Sequence, residues 1–109
     1  MIKMIIHMDN DKIIGENKYR LEGIYNSINN MFLAMDLLRM EDDSNALVYR
    51  DCGREKDFSL FGIIVNTLKK QDWFMENVTV WLLCDSDDSD DPDDFNEEDL
   101  LNHYRKAYL

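Results

Sequence analysis

The chain opens on a period of two. Ile2, Met4 and Ile6 fall on one side of it, with Ile5 and Met8 adding apolar bulk, and the pattern predicts a strand over 2–8. Asp9-Asn10-Asp11 follows as a turn cluster, and Ile13-Ile14 reads as a short returning strand before Gly15. The period then changes. Leu21, Ile24, Ile28, Met31, Met35 and Leu38 are spaced three and four apart, which predicts a helix over 17–40 with one apolar stripe. Such a stripe faces a core; a seam this regular also suits pairing with a second copy, so monomer and homodimer both stand.

A polar break at 41–45 precedes Ala46-Leu47-Val48-Tyr49-Arg50, a second strand ending near Gly53. Asp57 is placed to cap a helix whose stripe is Phe58, Phe61, Ile64, Val65 and Leu68. The segment 72–84 fits two patterns: Phe74, Val78, Trp81 and Leu82 suit a helix face, and 78–83 suits a buried strand. The helix is the preferred reading. Near the C-terminus, Asn96 reads as a helix cap, Phe95 and Leu100 as a hydrophobic staple, and Leu100, Leu101, Tyr104 and Tyr108 as an apolar face. The order of elements implies an α+β fold, a small antiparallel sheet covered by three or four helices, in one domain over 1–109.

Composition agrees with a folded chain. Of 109 residues, 45% are hydrophobic, and there are one Pro and four Gly, too few for wholesale disorder. The apolar start is only eight residues long and Asp9 follows it, so neither a secretory leader nor a membrane span is expected. The expected location is the cytoplasm, with Cys52 and Cys84 as free thiols.

Charge changes the picture most. The net charge is −11, and residues 85–109 carry ten acidic and two basic residues, a balance of −8. Between Asp85 and Asp94 runs DSDDSDDPDD, an acidic loop over 85–95 pinned between two ordered elements. Such a pole repels nucleic acid and anionic membranes and attracts basic surfaces. A solvated loop that only aids solubility is the alternative.

Catalytic patterns are missing from the sequence. There is no G-x-S-x-G turn, and Gly15, Gly23, Gly53 and Gly62 are isolated rather than grouped in a phosphate loop. Cys52 and Cys84 lie 32 residues apart with no close ligand pair, which argues against zinc. An EF-hand register starting at Asp87 puts Pro92 where a glycine is needed, and one starting at Asp85 puts Asn96 at the last ligand position. No enzyme activity, metal or cofactor is therefore expected.

The stretches NTLKKQDWFMEN (66–77), WLLCDSDD (81–88) and EDLLNHYR (98–105) resemble small acidic proteins carried on mobile elements and phages of Gram-positive bacteria, the anti-CRISPR class that includes Cas9 inhibitors. The resemblance covers roughly the C-terminal half. It implies a partner with basic guide and DNA channels, a Cas9-type effector or its guide-RNA complex. The expected contact residues are Asp85, Asp87, Asp88, Asp90, Asp91, Asp93, Asp94, Glu97 and Glu98, acting as a nucleic-acid mimic with no direct nucleic-acid binding. A mobile-element adaptor that binds a basic protein without mimicry is the competing class.

Overall fold

Alternation at the N-terminus sets the central strand. In the computed structural model, which describes residues 2–40, 46–85 and 96–108, strand β1 runs Ile2–Met8. Ile2, Met4, Ile6 and Met8 are buried, and Lys3, Ile5 and His7 are half-buried on the opposite face. β3 (Leu47–Arg50) and β4 (Val78–Asp85) flank β1, both antiparallel to it. β2 (Leu38–Met40) lies outside β3 and β5 (Asn96–Asp99) outside β4, giving a five-stranded sheet in the order β2-β3-β1-β4-β5. The helices are α1 (Asn10–Glu16), α2 (Leu21–Ala34), α3 (Asp57–Leu68), α4 (Asp72–Met75) and α5 (Leu100–Tyr108). The path β1-α-β2-β3-α-β4 is the split β-α-β arrangement, extended by β5 and α5. The expected α+β class, an antiparallel sheet with helices on it, is what the chain forms.

One core lies between sheet and helices. Ile13 of α1, Ile28 and Phe32 of α2, Phe61 and Leu68 of α3, Phe74 of α4 and Leu100 of α5 pack with Met4, Ile6, Tyr49 and Trp81. Buried aromatic tips are paired: the Trp81 indole N–H donates to Met4 Sδ at 3.3 Å, and Tyr49 donates to Asn29 Oδ1 at 3.0 Å.

The helix expected over 17–40 ends early. Asp36 takes a left-handed backbone, φ 58, its N–H donates to the Leu33 carbonyl, and the Leu37 N–H reaches back to the Phe32 carbonyl. This is a Schellman closure with aspartate where glycine is usual, and the buried pair Leu37 and Phe32 supplies its apolar contact. Leu38 leaves the stripe for β2 and is 46% exposed, while Ile28 is fully buried within its own chain.

The expected helix over 72–84 is corrected to a short α4 followed by β4. His7 pairs with Val80 but Met8 pairs with Val78, so Thr79 is the extra residue of a bulge. The bulge returns Val78 to the core face beside Trp81, three residues on, and this imitates helical spacing. Asp9-Asn10-Asp11 and Ile13-Ile14 form no turn and strand but α1, capped by Asp9, whose Oδ1 accepts from the Lys12 N–H at 3.1 Å. Asn96 is in β5 rather than at a cap. Asp99 takes that role, accepting from the Asn102 N–H at 3.0 Å. The staple residue Phe95 lies outside the described residues.

Candidate functional site

The acidic edge grows out of the β4–β5 hairpin. Asp85 ends β4 and pairs in register with Asn96, so the run 86–95 leaves and re-enters the sheet at neighbouring points. Of the expected contact residues, Asp85 is half-buried at that junction, and Glu97 and Glu98 are exposed on β5. Asp87, Asp88, Asp90, Asp91, Asp93 and Asp94 lie outside the described residues. Asp99, not among the expected contacts, adds a third consecutive exposed carboxylate. Three acids in a row on an edge strand repel a second copy of the same edge.

Pairing register sorts these acids between two surfaces. Glu98 stands opposite Leu83, on the helix-bearing side. Glu97 and Asp99 stand opposite Cys84 and Leu82, on the other side. There the cross-strand rows read Leu38-Arg50-Lys3-Cys84-Glu97 and Met40-Val48-Ile5-Leu82-Asp99. The first row thus passes from apolar through two cations to a buried thiol and an acid. Burial pushes the Cys84 thiol pKa up, and Glu97 adds to the rise against an opposing pull from Lys3. The thiol therefore stays protonated and is a poor nucleophile.

On the helix side, Glu98 lines a groove of about 260 Å³ between α3 and α5. Its wall includes Phe61, Val65, Leu83 and Leu100, with Phe58 63% exposed. Phe58 is thus a rim residue rather than the core residue its spacing suggests.

A second polar construction fixes the loop before α3. The Asp57 carboxylate is fully buried and accepts from the Cys52 N–H at 2.7 Å, the Arg54 N–H at 3.3 Å and Arg54 Nε at 2.8 Å. Desolvation raises its pKa, but the Cys52 and Arg54 hydrogen bonds and the guanidinium charge outweigh it and hold the carboxyl below its usual range. Arg54 Nη2 in turn donates to the Met35 carbonyl at 3.0 Å. Asp57, expected as a helix cap, is therefore the first residue of α3 and a buried anchor between the β3–α3 loop and the end of α2. Cys52 is exposed, and its thiol donates to the Asp36 carbonyl at 2.8 Å.

Among the described residues no three His, Cys, Asp or Glu side chains converge as metal ligands, and no helix is long and apolar enough to cross a membrane. Comparison with protein-family models, curated proteins and solved structures finds no match for this chain. The split β-α-β arrangement supports many unrelated activities, so function has to be argued from the surface.

Proposed function

We propose that this chain is a non-enzymatic binding protein that engages a basic, nucleic-acid-handling protein through its acidic edge. A Cas9-type nuclease or its guide-RNA complex is the first target to test, on the resemblance of the C-terminal half. One observation carries the reading: Asp85 and Asn96, on either side of the acidic run, are paired in register, and Glu97, Glu98 and Asp99 follow along the sheet edge. An antiparallel strand rises about 3.4 Å per residue. Each strand of a duplex carries one phosphate per about 3.4 Å of helix axis. Consecutive acids on β5 therefore match that axial charge density, with Glu97 and Asp99 on one face of the sheet and Glu98 on the other. A basic channel built for phosphates would accept such an edge.

The test is competition. Purified Cas9 is loaded with guide RNA, and target-DNA binding is followed as this protein is added; guide loading is followed the same way. Mimicry requires saturable displacement of guide or DNA. Binding to Cas9 without displacement would instead favour the adaptor reading, and no binding at all removes Cas9 as the target.

A further inference from the structure

Gly62 occupies the middle of α3, where glycine is less favourable than alanine because it loses more backbone freedom on folding. A Cβ built at Gly62 would meet nothing within 4 Å, so packing does not require the glycine. The missing side chain leaves open the groove between α3 and α5, and Phe58 beside it is 63% exposed. At about 260 Å³ the groove is smaller than the roughly 300–1,000 Å³ of small-molecule sites. It has room for one large side chain. Glu98 is the charged residue of its lining among the described residues, and Lys69 rests against the Tyr104 ring at 5.1 Å.

We infer that this groove receives one aromatic or large aliphatic side chain of the basic partner, with a lysine or arginine beside that anchor paired to Glu98. The inference rests on the reading that the chain engages a basic protein, and it adds the partner's local chemistry. A desolvated apolar anchor flanked by charge is the usual form of a binding hot spot. The sheet edge would supply long-range attraction, and the groove would supply register and residence time.

The test uses two synthetic peptides of equal charge, Lys-Arg-Phe-Arg-Lys and Lys-Arg-Ala-Arg-Lys, titrated into the full ¹⁵N-labelled chain. The phenylalanine peptide should bind about tenfold more tightly, which corresponds to about 1.4 kcal/mol. Its saturable shifts should centre on the amides of Gly62, Asn66 and Glu98. Gly62→Leu fills the groove and should erase the preference while keeping the weaker, charge-driven binding of both peptides. Gly62→Ala is the control and should retain the preference. Equal affinity for the two peptides, shifts away from the groove, or an unchanged preference in Gly62→Leu overturns the groove and leaves the acidic edge standing. No binding of either peptide overturns the groove and counts against the edge as well. Should Gly62→Leu not fold, the wild-type shift map and the peptide pair still decide.

Discussion

Phe32 lies flat on Tyr49, ring centroids 3.8 Å apart and planes 2° from parallel, so the last full turn of α2 is fastened to β3 by one aromatic stack. Both rings are fully buried, and Phe61 meets Phe32 edge-on at 6.2 Å. Truncating a buried phenylalanine costs about 3–5 kcal/mol. A domain of this size has about 5–15 kcal/mol in all. Phe32→Ala should therefore lower Tm by about 10–40 °C. Tyr49→Phe keeps the stack and loses only the hydroxyl bond to Asn29, so it should cost about 1 kcal/mol. Thermal denaturation of the two variants checks the contrast.

Tyr49 also sets an alkaline limit. Burial pushes its pKa up to about 12 from 10.0, with Arg39 pulling slightly the other way. Between those values the unfolded chain has released a proton that the folded chain keeps. The contribution of Tyr49 is thus complete below pH 10 and is lost as pH rises through about 12. Ultraviolet titration of the folded protein should show one late-ionising tyrosine, and Tyr49→Phe should remove that late step.

Asp57 acts at the opposite end of the pH scale. Its carboxyl is held below the ordinary value of 3.8, so its stabilisation is present above that value and is lost as pH falls through the lower, folded-state value. Asp57→Asn should lower Tm at neutral pH, because the Arg54 and Cys52 donors lose a charged, buried acceptor. The variant should also lose less stability than the wild type on acidification. Melting curves from pH 7 to pH 2 check both points.

Gly62→Ala should stabilise the fold. With open space at that Cβ, the gain is helix propensity alone, up to about 1 kcal/mol and a few degrees in Tm. Chemical denaturation should show a higher midpoint at unchanged slope.

How legible the fold was depends on the residue. The alternation of Ile2, Met4 and Ile6 is open to view because β1 is central and covered on one face by the core. The end of α2 is hidden because Asp36 fills a position where glycine would have signalled a stop. β4 reads as a helix because the bulge at Thr79 puts two buried residues, Val78 and Trp81, three apart. β5 is invisible to any hydrophobic pattern, since an edge strand of Asn96 and three acids has no apolar face. The acidic pole could be read from charge alone. Its division into Glu98 toward the groove and Glu97 with Asp99 toward the opposite face needs the register with β4, and the groove itself needs α5 set beside α3. Asp99 carried one readable signal, an aspartate immediately before the Leu100-Leu101 start of a helix.

Salt should weaken partner binding strongly, because exposed carboxylates act through solvent with a Debye length of about 8 Å at physiological ionic strength. Affinity for a basic partner should fall by an order of magnitude or more between about 50 and 200 mM salt. Replacing Asp87, Asp88, Asp90 and Asp91 together with Asn should flatten that dependence and leave Tm level or higher, since like charges no longer repel. Binding titrations at four salt concentrations, with melting curves alongside, check this.

The most direct measurement is displacement of target DNA from guide-loaded Cas9 by the wild type and by a variant with Asp87, Asp88, Asp90 and Asp91→Asn and Glu97 and Glu98→Gln. The wild type should displace DNA saturably, and the variant should lose at least a hundredfold in potency with circular dichroism unchanged. Equal potency of the two proteins would contradict mimicry by the acidic edge, which would then not be the surface that takes the place of nucleic acid.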